Sequence, residues 1–399
     1  MRDVAHAELT GIKIRAITAS DKEEGCYALF GNNRIFIVNI STQTVKELAE
    51  LSNIQTTAHG IGDGRSEGKE LEISIIYHHP YICVTERFGV NMALYSMTTD
   101  SVRKYSREDY HCDVSSYSVS FLELNGRTLL ICQTQWNRLG IFDAETGENL
   151  TEREIYIRDT GRKAKEGYPV YDEKNYMDYF HSQLHTSPDG NHFLSNGWHW
   201  HPMGQIYLFE TTKFLRTFEV GSISTHCQAP YNWDRPCTFI DDETFVVALD
   251  DDSKTGFYDE DDLNGYEYAQ LAFFKTNAEI HTNKYDHRWI EPFRKTNCFA
   301  FTPNSDGEVT GLLFYDQSAG YLVALTHDRG ALSVSLDGDI LENLPDVISA
   351  NTGTFNNNVA IGWNYSKEYH VFYTWRSGNG VVEKRFKNDY AFDSCDNGK

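Results

Sequence analysis

Residues 118–150, SVSFLELNGRTLLICQTQWNRLGIFDAETGENL, read as four short strands in a row. An Asn125-Gly126 turn joins the first two, a polar loop joins the second to the third, and the DAETGE turn precedes the fourth. The same order returns over 181–219: HSQLHT, the turn Ser187-Pro188-Asp189-Gly190, NHFLSNG, a loop, GQIYLFE, then TTKFLRTFEV as a fourth strand. Proline presets φ at the second turn position and glycine accepts positive φ at the fourth, so this turn is structural. A strand-turn-strand unit repeated in this way cannot bury its apolar face alone, and stacking against its neighbours follows.

Five more segments fit the pattern, which predicts an all-β chain: a single β-propeller of about seven four-stranded blades, one domain over 1–399. The blades fall near 14–48, 72–102, 118–150, 181–219, 237–285, 311–341 and 348–386, with helices almost absent. The stretch 277–310 is irregular, and NCFAFTPNSDGEV within it could begin a blade of its own. With 24 Tyr, 23 Phe and 7 Trp the chain carries ample material for pleated, half-buried surfaces. In this grammar of repeats it resembles the broad WD40-like or YVTN-like β-propeller superfamily, over nearly its whole length. No blade carries the Gly-His and Trp-Asp pair of true WD40 repeats, so that family's structural network and usual partners are not implied.

A net charge of −22, from 36 Lys and Arg against 58 Asp and Glu, disfavours polyanionic partners. Nucleic acid and anionic membrane are thereby excluded. The opening MRDVAHAELTGIKIR lacks the apolar core of a secretory signal, and no later run is long enough to span a bilayer, which predicts a cytoplasmic protein. The eight cysteines form no C-x-x-C pair; Cys26, Cys83 and Cys132 sit in apolar strand-like runs as small hydrophobes.

In an up-and-down meander the loop between the second and third strands shares a face with the connection to the next blade. The long segments 50–70, 103–116, 155–178, 221–235, 250–266 and 277–308 are expected on that face, with mostly tight turns on the other. Long loops on a rigid scaffold carry function, so this face is the expected site.

Within it lies HSQLHTSPDGNHFLSNGWHWHPMGQIYLF, residues 181–209, with five histidines. His181, His199 and His201 belong to the inserted face, whereas His185 and His192 lie down the strand and at the far turn. Gln183 shares a strand side with His181 by the two-residue period, and His226 is placed in the next inter-blade loop. Neutral imidazoles suit a divalent transition metal. By residue type His181, Gln183, His199 and His201 look like the ligand set of the propeller lyases that act on oligogalacturonate. That likeness implies a metal held by three histidines and a glutamine at the channel mouth, although an acidic chain is an odd host for a polyanionic sugar. The aromatic-rich GWHWHPMG suits covering the channel or binding a protein chain instead.

Other motifs fail. GIGDGRSEGKE (60–70) has Asp63 and Glu70 where a phosphate loop needs Gly and a hydroxyl residue. In the acidic run 249–267, Glu260, Asp262, Asn264 and Gly265 match half an EF-hand, but Leu271 stands where the bidentate Glu belongs. That run reads as a solvated loop or a surface for a basic partner rather than a calcium site. The first reading is a non-enzymatic propeller, without cofactor, that binds a protein through the inserted face. The alternative is a metal-dependent lyase or hydrolase with His181, His199 and His201 as ligands, Gln183 or His226 completing the site, and catalytic residues unassigned beyond a nearby Asp, Glu or Tyr as base.

Overall fold

Each sheet in the computed structural model is assembled from strands consecutive in sequence, paired antiparallel in chain order. The structure describes residues 9, 12–39, 44–58, 68–151, 176–200, 203–229, 234–249, 269–282, 288–302, 309–344, 348, 353–356, 359–365, 369–376 and 380–387. The first sheet holds β1 (Ile14–Ala19), β2 (Cys26–Gly31), β3 (Arg34–Asn39) and β4 (Thr44–Glu50). The second holds β5 (Ile73–His78), β6 (Tyr81–Glu86), β7 (Asn91–Ser96) and β8 (Ser101–Ser106), and the third β9 (Val119–Leu124), β10 (Arg127–Gln135) and β11 (Arg138–Asp143). Beyond β11 the third sheet is continued by one bridge, Phe142 to Asn149.

The fourth sheet comprises β12 (Phe180–Thr186), β13 (His192–His199), β14 (Met203–Glu210) and β15 (Ile223–Ala229). The fifth comprises β16 (Cys237–Phe239), β17 (Thr244–Leu249), β18 (Ala269–Lys275) and β21 (Arg294–Cys298), with a side hairpin of β19 (Ile280–Thr282) and β20 (Arg288–Ile290). Strands β22 (Leu312–Asp316), β23 (Tyr321–Thr326), β24 (Gly330–Val334) and β25 (Ile340–Leu344) make the sixth. The seventh is β26 (Gly353–Asn356), β27 (Val359–Tyr365), β28 (Tyr369–Arg376) and β29 (Gly380–Lys387). Together they form a seven-bladed β-propeller.

The core lies between blades rather than at a single centre. Ala28 and Phe30 of the first sheet pack with Ile75, Tyr77 and Val84 of the second, and Cys83 and Leu94 of the second with Leu130 and Cys132 of the third. Cys26, Cys83 and Cys132 are buried free thiols, as their apolar surroundings predicted. The turns follow their chemistry: Asn125 and Gly126 take φ of 52° and 75°, the mirror-image turn that matches strand twist.

Each sheet's first strand lies innermost, β1 packing on β5, β9 on β12, β12 on β16 and β16 on β22. The seventh sheet closes the ring on the first. Thr354 Oγ1 donates to the Ile17 carbonyl (3.1 Å), while Asn356 Nδ2 reaches the Ala19 (2.7 Å) and Tyr77 (2.9 Å) carbonyls. Among the described residues no helix is long and apolar enough to cross a membrane.

Two segments depart from the sequence expectation. Residues 211–220, expected as the outer strand of the fourth blade, form the short helices α1 (Thr211–Phe214) and α2 (Glu219–Ser222), and the outer strand is β15. Phe214, Leu215 and Val220 offer apolar side chains to a helical turn as readily as to a strand, and Phe214 is fully buried against Phe193 and Phe209. In the fifth blade the outer strand is β21, so NCFAF closes that blade instead of opening another.

The loop map shifts accordingly. The segment 221–235, expected as a loop, contains β15, and 277–308 contains the β19–β20 hairpin and β21. Both 211–222 and 276–293 connect third to fourth strands, which places them on the face expected to carry tight turns. The 250–266 loop, with its rejected calcium motif, lies outside the described residues.

Candidate functional site

Histidine placement is governed by a break in strand β12. Phe180 pairs with Trp198 and Gln183 with Asn196, leaving His181 and Ser182 opposite the single residue Gly197. This is a β-bulge, and it resets which side chains share a face. A Cβ at Gly197 would stand 2.0 Å from the Phe180 carbonyl oxygen, so the two strands need glycine there to approach.

Past the bulge Gln183 lies across from Asn196 and His185 from Leu194, whereas His181 hydrogen-bonds Ser195 Oγ (2.8 Å), a residue on the other face. The two-residue period that put Gln183 beside His181 is therefore interrupted. The His181 ring is fully buried with its edge against Tyr179 (4.9 Å). Burial pulls its pKa down to about 3, opposed by a hydrogen bond to the Asn137 backbone, which raises it. His185 is likewise lowered by burial, to about 4.

His199 uses both ring nitrogens, Nδ1 with the Asp178 carbonyl (2.6 Å) and Nε2 with the Tyr207 hydroxyl (2.8 Å). His226, expected in an inter-blade loop, lies in the outermost strand β15, paired with Tyr207. Three strand spacings separate the backbone of β15 from that of β12, about 14 Å at some 4.8 Å each. His201 lies outside the described residues. Among the described residues no three His, Cys, Asp or Glu side chains gather as metal ligands.

What the structure does bring together on this face is aromatic. The β8–β9 connection, residues 107–118, is wound round Arg107, itself only 5% exposed. Its guanidinium donates to the carbonyls of Gly89 (2.8 Å), Cys112 (3.0 Å), Ser115 (2.7 Å) and Ser116 (3.2 Å) and to Gln133 Oε1 (2.6 Å). Burial lowers its pKa only to about 10, so the cation persists at neutral pH and keeps the loop in one shape.

On that support Tyr110 packs against Trp136 (5.4 Å), Phe180 (5.9 Å) and Trp200 (6.2 Å), and His111 against Trp200 (5.1 Å). Phe180 lies flat on Trp198, their rings 3.8 Å apart, and Trp198 Nε1 donates to Ser115 Oγ (2.9 Å). The rim of this cluster faces water: Tyr110 is 46% exposed, Trp200 41% and Val114 40%. Tyr110, His111 and Val114 come from the β8–β9 connection, Trp136 from β10–β11 and Trp200 from β13–β14, all on the face expected to bear the site, while Phe180 and Trp198 lie at the ends of β12 and β13 beside them.

Beside the aromatics, at the starts of four inner strands, lies a polar chain. Ser182 Oγ donates to Asp234 Oδ1 (2.6 Å), and Ser116 donates its Oγ to Asp234 Oδ2 (3.4 Å) and its backbone N–H to Ser182 Oγ (3.2 Å). Arg87 Nε reaches Ser116 Oγ (3.3 Å) while its Nη1 pairs with Glu72 (2.7 Å). Burial raises the Asp234 pKa, opposed by the Ser182 hydrogen bond and the Arg87 charge. Asp234 also takes a φ of 42°, a conformation Asp and Asn tolerate best. Sequence reasoning passed over Asp234, Ser182, Arg107 and Tyr110. The available signal was a lone Asp234 in the aromatic stretch YNWDRP and a lone Arg107 opening an inter-blade connection.

No family model matches the chain, and no curated protein matches it in sequence. Among solved structures it is similar to Chaetomium thermophilum Raptor, with a TM-score of 0.50 and 13% identity over 95% of this chain. It spans 28% of the Raptor chain. It is also similar to a chain in the crystal structure of the mitotic checkpoint complex, with a TM-score of 0.52 and 9% identity, covering 96% of this chain and 94% of that one. At such identities the likeness is one of fold, and the fold is that of a β-propeller.

Proposed function

We propose that the protein is a non-enzymatic binding propeller that engages a protein partner through the aromatic patch between its third and fourth blades. The observation that carries this reading is the exposure of Tyr110, Val114 and Trp200 together on a base immobilised by Arg107 and stacked rings. Tyrosine and tryptophan held rigid in this way supply large contact area at low entropic cost and dominate protein interfaces. The fold supports the reading in a general way, since propellers are rigid platforms. The similar chain in the mitotic checkpoint complex is itself part of an assembly.

Selection of a random-peptide display library on the purified protein tests the proposal. Peptides recovered on the parent protein should bind a Tyr110→Ser, Val114→Ser, Trp200→Ser variant at least about tenfold more weakly, the loss expected when interface anchors go. They should bind a Phe293→Ser control, altered at an exposed ring far from the patch, as well as the parent. Failure to recover any peptide that distinguishes the patch variant from the parent overturns the proposal.

A further inference from the structure

The channel-mouth chain of Glu72, Arg87, Ser116, Ser182 and Asp234 holds two carboxylates and one guanidinium, and that guanidinium is committed to Glu72 at 2.7 Å. Among the described residues Asp234 takes only hydroxyl donors, and no cationic side chain lies within ion-pair distance of it. Its neighbour Arg235 is buried at 1% exposure, with its backbone carbonyl taken by Asn196. Residue Asp234 as a whole keeps part of its surface exposed. Among the described residues of this polar chain the one guanidinium is engaged by Glu72, and none pairs with Asp234.

A carboxylate with hydroxyl partners alone is poorly compensated, since hydroxyl dipoles stabilise the ion less than a counter-charge does. A strained φ fixes its direction, and Ser182 on strand β12 and Ser116 in the β8–β9 connection hold its position. The surrounding field points the same way: Glu108, Asp109 and Asp178 are exposed round the aromatic patch, on a chain whose net charge is −22. Such a field draws basic segments toward the face and repels acidic ones.

We infer that the partner presents an Arg or Lys side chain whose cationic head enters the channel mouth and pairs with Asp234, while flanking apolar residues of the same segment lie on Tyr110 and Trp200. This rests on the protein-binding reading above and adds the chemistry of the partner. Phe180, in the aromatic cluster, and Ser182, on Asp234, are two residues apart on one strand, so a short extended segment spans both. The open rings of Tyr110 and Trp200 also suit a cation approaching across them.

The test uses the peptides recovered from the display library. They should be enriched in Arg or Lys, and replacing that Arg with citrulline, or that Lys with norleucine, should weaken binding at least about tenfold, the scale of a desolvated charge pair. Asp234→Asn, which keeps the shape and the favoured φ, should cause a similar loss in the parent peptide and little further loss in the neutral one, the non-additive result of a direct pair. Peptides sensitive to Trp200→Ser yet indifferent to citrulline or norleucine and to Asp234→Asn would overturn this inference and leave the binding reading standing. Peptides indifferent to Trp200→Ser as well would overturn both. Concentration-dependent self-association abolished by Trp200→Ser would assign the patch to a second copy of the chain and overturn the inference too.

Discussion

At the residue scale, Asp234 makes the account quantitative without any partner. Burial raises its pKa, so the folded protein holds that proton more tightly than the unfolded chain does. The stability so contributed is complete below the unfolded value of about 3.9 and is lost as pH rises through the folded value. At neutral pH the charged form is a net cost. Asp234→Asn is therefore expected to melt higher than the parent near neutrality, with the advantage vanishing or reversing in acid, as thermal melts across pH will check. His181 and His185 act with the opposite sign, their pKa values being lowered to about 3 and about 4. Their contribution is present above the unfolded value of about 6.5 and is lost as pH falls toward those lowered values. Replacing both with Gln should flatten the parent's acid-side loss of stability. Gly197→Ala, whose Cβ would meet the Phe180 oxygen at 2.0 Å, is expected to cost more than about 3 kcal/mol in denaturant melts.

The strands of blades one, two and six and the first three of blade three were legible at the element scale, because alternating apolar runs ended in turns whose residues carry their own geometry, such as Asn125-Gly126. The expected fourth strand of blade three is only a bridge at Asn149 among the described residues. Two elements were not legible. Residues 211–220 offered apolar side chains that suit a helical turn or a strand, and only packing of Phe214 against Phe193 and Phe209 decides between them. The bulge at His181 and Ser182 was equally invisible, since the sequence shows Gly197 but not which strand it meets. Phe214→Ala should accordingly cost about 3–5 kcal/mol as a core truncation, with its loss read in denaturant melts. A surface strand residue would cost far less. The histidines illustrate the same limit: their types and spacing were visible, but their pairing with Ser195, Asp178 and Tyr207 depends on register.

For the whole molecule, the repeat made the ring readable, while its closure had no local signature. Asn356 closes it by donating to carbonyls of both the first and second sheets, so Asn356→Ala should lose about 1–3 kcal/mol. That variant should still unfold in one transition if the seventh sheet is integral to the ring, with calorimetry as the check. The face proposed for binding follows from a meander's assignment of loops to sides, whereas the aromatic cluster on it emerged only when loops from neighbouring blades met. Hydrogen exchange of the protein with and without a library-selected basic peptide tests the central claim most directly. Protection is expected over 107–118, 136–137, 176–182, 198–200 and 234–236, with the opposite face unchanged. Protection centred instead on the 280–290 hairpin or on the turns at 125–126 and 187–191 would contradict it.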